Sequence, residues 1–486
     1  MIQIMKKIQI LISLAIIGCT MKVNAQNDVD AIRYSMEYFG GTARYSGMGG
    51  AFGAVGADFS TLSTNPAGLG VYRKNEFTFT PSFYIGETSS SYNGNTTDDQ
   101  KFNFNLGNFG MVLAFKTHSR SHWKSVNFGI GINRENNFNN SLTIKGTTNG
   151  SMMDMFAANA QGNTPDNLEP FSTQLAFSSS LIDTSGGTNY IPVVPDKGTT
   201  QVKTVNTSGS MQEMVLSLGA NYNNRLYIGG TLGIPFVNYY EHSVYKETDN
   251  DPDTLSNYFQ SFAFDQKLTT TGSGFNFKLG LIFVPINIDL IKVKIGAAFH
   301  SPTYYNLNDS WNSTMTSNFD NGNFITSYSP DGSFDYQIIT PKKEIGSIAI
   351  QIGHLGTISA DYEYVDYSEA RIYSNSYDFS DVNNTITQKY TATQNIKVGA
   401  EVVLGMFSIR GGYDIYGSPY KVNTENGKRT AITAGFGIIG KRHFIDFGYV
   451  YSFSKDDYYL FNADYINAAK NKYISNNLLI TLGLKF

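Results

Sequence analysis

Apolar and polar residues alternate with a period of two along most of this chain. In the run ending at Phe486, Leu478, Ile480, Leu482, Leu484 and Phe486 share one face, while Leu479, Thr481, Gly483 and Lys485 share the other. Ile445, Phe447, Tyr449, Tyr451 and Phe453 oppose Asp446, Gly448 and Ser452 in the same way. So do Phe275, Phe277, Leu279, Leu281 and Phe283 against Asn276, Lys278 and Gly280, and Ile291, Val293, Ile295, Ala297 and Phe299 against Lys292, Lys294 and His300. Such alternation marks a half-buried strand. Taken singly it fits a soluble β-sandwich as well as a barrel whose apolar face meets lipid.

Segments of this kind fall at 76–84, 102–117, 122–137, 209–222, 225–245, 262–286, 291–307, 334–353, 356–374, 389–403, 406–418, 430–440, 443–458 and 475–486. They predict fourteen strands, an even number that places both chain ends on one side of a membrane. The connections at 85–101, 138–208, 246–261, 308–333, 375–388, 419–429 and 459–474 are long and polar; those between them, such as 223–224 and 404–405, are tight. Sorting of short turns to one rim and long loops to the other predicts an all-β fold, a 14-stranded transmembrane antiparallel β-barrel over 76–486. Its long extracellular loop is 138–208. No stretch past residue 25 has eighteen uninterrupted apolar residues, so helical spans are excluded, and a closed barrel is the remaining way across hydrocarbon.

Composition fits this expectation. The chain has 47 Gly, 32 Tyr and 34 Phe, with a net charge of -4, and no block of Lys or Arg points to nucleic acid. Lys6 and Lys7 precede the apolar stretch 8–18, and Val23-Asn24-Ala25 has the spacing of a signal-peptidase site, so residues 1–25 are expected to be an export signal. Cys19 offers a competing lipidation site; after cleavage at Ala25 the mature chain would have no cysteine. The expected compartment is the cell outer membrane of a Gram-negative bacterium, with membrane lipids, lipopolysaccharide and the barrel assembly machinery as partners and a monomeric state.

Charges that cannot face lipid must point inward, since each would cost about 2–4 kcal/mol at the midplane. Lys292, Lys294, Asp361, Glu363, Lys397, Glu401, Arg410, Asp414 and Asp446, with Glu213, are therefore expected in the lumen. There they form either a network that fastens something inside the barrel or a plain solvated wall. The candidate for that something is residues 26–75. This segment does not alternate: a short helix over 28–39 leads into GMGGAFGAVG and then Asn65-Pro66-Ala67. Its glycines allow sharp turns and close backbone contact, which suits a compact helical, Gly-rich plug inside the lumen; a periplasmic arm is the alternative.

GGTARYSGMGGAFGAVGADFSTLSTNPAGLG resembles the N-terminal hatch of the outer-membrane long-chain fatty-acid and aromatic-hydrocarbon transporters, the FadL/TodX-like family, and Asn65, Pro66 and Ala67 match the hatch motif. Similar echoes occur at Gly296–Pro302, at Pro341 with Asp361-Tyr362-Glu363-Tyr364, and at Gly411-Gly412-Tyr413 with Ser418-Pro419. The resemblance implies passive transport of a hydrophobic small molecule: capture at extracellular loops, movement of the hatch, and exit sideways through a gap in the wall. It associates that gap with an irregular third strand, here near Arg134-Glu135-Asn136-Asn137.

The long loop carries Met152, Met153, Met155, Phe156, Leu168, Phe171, Leu175, Phe177 and Leu181, and Trp311, Met315, Phe319 and Phe324 lie on another. Adaptable Met and Phe side chains suit an apolar ligand groove; they suit the loops' own small cores equally well. Lys145, Lys197 and Lys203 are cations available to a ligand carboxylate. No GxSxG or HExxH occurs, and the six histidines have no metal spacing, so neither catalytic residues nor a metal or other cofactor is expected. His118 and His122, with Lys116, Arg120 and Lys124, read as a basic periplasmic rim. The rival functions are a surface binding or adhesion protein displayed on a barrel, and a general porin.

Overall fold

The computed structural model describes residues 27–38, 40–118, 120–193, 198–250, 259–422 and 426–486. The expected export signal and Lys197 lie outside them. Fourteen antiparallel staves form one closed sheet. They are β1 (Glu76–Tyr92), β2 (Asn95–Lys116), β3 (Trp123–Asn137, continued by Asn140–Thr148), β4 (Thr199–Tyr222), β5 (Leu226–Asp249), β6 (Phe259–Ile288) and β7 (Ile291–His300, continued by Tyr304–Phe319). The circuit goes on through β8 (Gly332–Ile339, continued by Lys343–Ile352), β9 (Gly356–Asp366, continued by Arg371–Tyr373), β10 (Ala392–Leu404), β11 (Phe407–Tyr416), β12 (Arg429–Ile439), β13 (His443–Tyr458) and β14 (Ala469–Lys485). β14 closes on β1 in a register from Lys470↔Ser91 to Lys485↔Glu76.

Period-two patterning turns into two surfaces. On β14, Leu478, Leu482, Leu484 and Phe486 are exposed on the outside, while Leu479 and Thr481 are buried on the lumen side. On β6 the exposed Phe275, Phe277, Leu279, Leu281 and Phe283 alternate with buried Asn276 and Lys278. A belt of this size on a soluble protein would aggregate; around a barrel it meets lipid. The even strand count puts both ends of the barrel chain on one rim together with the tight turns, and short turns mark the periplasmic side of such barrels.

The strands run further outward than the alternation indicates. Residues 85–101 are not a loop: β1 and β2 stay paired until Tyr92↔Asn95, and the turn is Asn93-Gly94 with φ of 46° and 85°. Asn-Gly in this conformation is a tight hairpin turn matched to strand twist. Likewise β3 and β4 extend the ladder to Thr148↔Thr199, which trims the loop expected over 138–208. Beyond the bilayer both faces of a strand are wet or packed on loops, so the ladder persists where the hydrophobic alternation that reveals it has ended. The long-and-tight sorting of connections therefore fails at the first hairpin although the strand count stands.

The described residues also include five short α-helices: α1 (Asp28–Arg33), α2 (Ala43–Gly47), α3 (Met152–Ala160), α4 (Thr173–Ser178) and α5 (Ser380–Lys389). Substituting Leu482→Arg on the outer face should cost about 2–4 kcal/mol, read as a lowered urea midpoint for folding into phosphatidylcholine vesicles. Thr481→Ser, on the lumen side, should leave that midpoint nearly unchanged.

Candidate functional site

Residues 40–74 sit across the lumen, and their irregular backbone is held by side chains from the wall. Thr42 caps α2 and Asp58 ties the segment's two halves, accepting from Thr42 Oγ1 at 2.8 Å and Ser60 N at 2.9 Å. Around the circuit, Thr481 accepts from Ala43 N at 2.7 Å, Thr433 donates to Gly47 O at 3.0 Å, and Asp361 accepts from Gly53 N at 2.9 Å. Lys294 donates to Val55 O at 2.9 Å, Thr231 to Leu62 O at 2.8 Å, and Asn127 to Leu69 O at 2.7 Å; His300 Nε2 lies 2.7 Å from Thr64 O. In hydrocarbon-depth protein these groups have no other source of partners.

Asn65, Pro66 and Ala67 lie at the centre of this arrangement. The Asn65 side chain accepts from Ala67 N at 3.1 Å, capping a 3-10 turn that begins at Pro66, and donates to Gly53 O at 2.6 Å and to Leu281 O on β6 at 3.2 Å. One amide thus joins two parts of the plug to the barrel. Gly229 and Gly280 let the backbone of β5 and β6 touch Asn65–Ala67; a Cβ at either position would collide with it.

Most of the luminal charges converge on this plug. Arg44 reaches Glu401 through Nη2 at 2.6 Å and Nε at 3.0 Å, Glu401 accepts from Arg410 Nε at 2.7 Å, and Arg410 Nη1 reaches Asp446 at 2.5 Å. Lys397 pairs with Glu363 at 3.5 Å, and Asn395 donates to Glu363 at 2.6 Å. Asp414 packs on Gly49, where its Oδ1 would lie 2.5 Å from an added Cβ and where a φ of 62° itself favours glycine. Lys292, by contrast, is exposed at a rim turn and takes no part among the described residues. Two members escape the alternation altogether: Arg44 and Glu37 lie outside strands, where Arg44 pairs with Glu401 and Glu37 with Lys343. Lys278, which pairs with Glu213 and lies 3.4 Å from Glu135, is recognisable as a lone cation on the inward face of β6.

Above the plug, β3 leaves the wall. β2 pairs with β3 only from Lys116↔Ser125 to Asn108↔Asn133; beyond that point β2 keeps β1 as its sole ladder partner. A bulge at Arg134/Asn136 on the β4 side turns β3 inward, and its continuation lies against β1 and β2 through side chains. Asp99 accepts from Thr143 N at 2.6 Å, Thr88 donates to Asn140 at 2.9 Å, and Arg134 Nε reaches Leu106 O across the seam at 3.2 Å. A cavity of about 350 Å³ opens beside this seam, lined by Asn105, Arg134, Asn136, Tyr38, Tyr84 and Arg429 among others. Its wall is mixed: Arg429 lies 4.0 Å over the Tyr38 ring and Arg33 4.3 Å over Tyr239. A second cavity of about 390 Å³, lined by Arg44, Asp58, Glu76, His354 and Lys485, lies on the periplasmic side of the plug.

On the outer side, Met152, Met153, Phe156, Leu168, Leu175 and Leu181 are buried in one cluster with Phe259, Phe264, Met315 and Phe319; Met155 and Phe177 pack on its edge. Phe171 stacks obliquely on Trp311 at 5.5 Å, and Phe324 is exposed. In this closed form these side chains fill the space between themselves. α3 is seated by Glu247, which accepts from Ser151 Oγ at 2.6 Å and Met152 N at 2.7 Å. Lys203 donates to Leu460 O at 3.0 Å and Lys145 is exposed. No cluster of three or more His, Cys, Asp or Glu converges as a metal site among the described residues.

α1 closes the lumen from above, with Ala31, Ile32 and Tyr34 in a second core that includes Tyr239, Tyr305, Ile372 and Ile386. Asp28 accepts from Lys389 and Tyr390, both at 2.6 Å. Burial pushes the Asp30 carboxyl up to about 6 from 3.8, against the pull of Arg33.

No protein-family model matches the chain, and no curated protein sequence matches it. Solved structures do. The toluene transporter TodX of Pseudomonas putida matches with a TM-score of 0.53 at 12% identity, covering 93% of this chain and 99% of that one. A Pseudomonas aeruginosa FadL homologue matches with a TM-score of 0.55 at 12% identity, covering 93% and 99%. The Ralstonia pickettii toluene transporter TbuX matches with a TM-score of 0.50 at 16% identity, covering 93% and 100%. The chain therefore shares the barrel fold of these proteins over 93% of its length.

Two outcomes follow from the geometry. Glu401→Ala leaves Arg44 and Arg410 buried without their shared carboxylate, a loss of about 3–5 kcal/mol. Amide exchange over residues 43–74 should speed up by roughly two orders of magnitude or more, and ion conductance in planar bilayers should rise. For Asp30 the raised pKa means that the folded form holds its proton more tightly than the free chain. Docking of α1 is therefore strongest below about 4, weakens through the window from about 4 to about 6, and is weakest above it. Protection of amides 29–36, corrected for intrinsic exchange, should be higher at pH 5 than at pH 7.5, and Asp30→Asn should flatten the difference.

Proposed function

We propose that this protein is a passive outer-membrane channel for hydrophobic molecules bearing a polar head, long-chain fatty acids among them, and neither a general porin nor a display scaffold. The observation that carries this reading is the unzipped β2–β3 seam beside the lumen cavity, above a plug that blocks the straight path. A hydrophilic solute gains nothing from a side opening toward lipid; a hydrophobic one passes directly from protein to bilayer without crossing water.

The path begins at the extracellular cluster. Met152, Met153, Met155, Phe156, Leu168, Phe171, Leu175, Phe177 and Trp311 form the capture groove when their cluster opens, the flexible Met side chains adapting to the ligand. The ligand then enters the lumen cavity, where the arginines and asparagines meet its head and the apolar tail lies along the tyrosines. Arg134 spans the seam, so release of its bond to Leu106 O opens the exit. The exposed Phe102 and Phe104 on the outer face of β2 receive the tail beside that exit. The names of the matching barrels, two of them toluene transporters, support hydrophobic cargo; the mixed cavity wall favours an amphiphile over a bare hydrocarbon.

The seam supplies the test. Cys19 is the only cysteine in the sequence, so Asn105→Cys in the mature chain can be blocked with a bulky thiol reagent. Uptake of a fluorescent long-chain fatty acid into proteoliposomes should fall about tenfold, equivalent to ~1.4 kcal/mol. The same label on Asn321→Cys, on an exposed outer loop, should leave uptake near the parent rate. Undiminished uptake in the blocked Asn105→Cys protein overturns the lateral route.

A further inference from the structure

The periplasmic rim carries a segregation of charge that the passage of a hydrophobic molecule does not use. From Gln100 to Arg134 the chain contains no Asp or Glu, yet the turn between β2 and β3 holds Lys116, His118, Arg120, His122 and Lys124. The fold adds to this group. Trp123 pairs in register with Tyr222, Asn223 N donates to His122 O at 2.8 Å, and Arg73 Nη2 donates to Asn224 Oδ1 at 3.0 Å. The β4–β5 turn with Arg225 and the entry to β1 with Arg73 and Lys74 thus lie against the β2–β3 turn.

Lys116, His118, Arg120, His122, Arg225, Arg73 and Lys74 are exposed, and none forms an ion pair among the described residues. The carboxylate nearest in sequence, Glu76, is buried and occupied by Tyr72 Oη at 3.0 Å and Lys485 at 3.6 Å. An ordinary solvated rim intersperses both signs. This one does not.

The depth of the patch identifies its counterpart. Immediately inward of the cations, Trp123 and Tyr222 meet edge to face at 5.2 Å with both rings exposed on the outer face. Phe115 and Val126, cross-strand neighbours, are exposed there as well, as is Leu218. An amphipathic aromatic pair above an apolar strip is the signature of the membrane–water boundary. Cations one residue beyond it stand at the level of lipid phosphates, with Lys116 able to run its stem along the apolar strip.

We infer that the β2–β3 turn, with its neighbours at Arg225, Arg73 and Lys74, is a binding site for the phosphodiester headgroup of an anionic phospholipid in the inner leaflet. The guanidinium groups of Arg120 and Arg225 and the Lys116 ammonium hold the phosphate, Trp123 and Tyr222 pack on the glycerol, and the acyl chains lie on Phe115, Val126 and Leu218. A zwitterionic headgroup brings its own cation into the same patch and is disfavoured.

Trp123 is one of only two tryptophans, so Trp311→Phe leaves a single reporter within the site. The full protein with that substitution is reconstituted into phosphatidylcholine vesicles containing equal mole fractions of either brominated phosphatidylglycerol or brominated phosphatidylcholine. Trp123 should be quenched by the anionic lipid with an apparent enrichment of about fivefold, falling toward parity in 1 M salt, where the screening length is only about 3 Å. The further changes Lys116→Gln, Arg120→Gln and Arg225→Gln should remove the enrichment while the heat-modifiable gel mobility of the folded barrel is retained. Should the triple variant not fold, the salt series on the parent decides. Equal quenching by both lipids in the parent, enrichment that is indifferent to salt, or enrichment surviving in the folded triple variant would overturn the site. So would capture of an acidic periplasmic protein by a rim that shows no lipid preference.

Discussion

Every non-strand residue inside this barrel depends on one requirement: a backbone at membrane depth must find its hydrogen bonds within the protein. The plug has only short helices and 3-10 turns, so many of its amides and carbonyls have no partner of their own. The wall provides them one by one, from Thr481, Thr433, Asp361, Lys294, Thr231, Asn127 and His300. That is why the inward faces of the strands are polar. Their side chains complete a structure that is not theirs.

The same requirement explains the position of Asn65. A side-chain amide offers a donor and an acceptor on a rigid fork, and here it caps one turn while bonding the carbonyls of Gly53 and Leu281. Pro66 has no N–H to satisfy and begins the next turn with φ already set. The ion-pair chain from Arg44 to Asp446 then adds stiffness at the periplasmic end, with each buried charge compensated by its neighbour. A plug held by many weak bonds and a few strong ones is firm in aggregate and able to give locally.

Where the requirement is relaxed, the wall opens. Along the outer half of β2 the ladder to β3 is replaced by side-chain bonds, Asp99 with Thr143 N and Arg134 with Leu106 O, to which Thr88 of β1 adds one with Asn140. Side-chain bonds hold a seam closed without welding it, since each is worth about 0.5–1.5 kcal/mol net. The mixed cavity behind that seam and the segregated cations below it give the barrel two distinct faces toward lipid, the first the proposed exit for cargo and the second the proposed lipid site.

Period-two alternation alone revealed the strand count, the outward face of β14 and β6, and the inward placement of Glu401, Arg410 and Asp446. It did so because a barrel wall has two environments and each residue must choose one. The Asn65-Pro66-Ala67 motif was likewise visible as turn chemistry. The hairpin at Asn93-Gly94 escaped, since strands beyond the bilayer keep their ladder but lose the contrast that reveals it. Arg44 and Glu37 escaped because the plug has no period at all. Only the tertiary structure decided that Met152 and Phe156 pack with Phe259, Phe264 and Met315 in a closed cluster, that Lys292 stays outside the charge network, and that β3 turns inward at the Arg134/Asn136 bulge. Local pattern fixes which way a side chain faces; which partner waits there depends on residues hundreds of positions away, brought together when the last strand closes on the first.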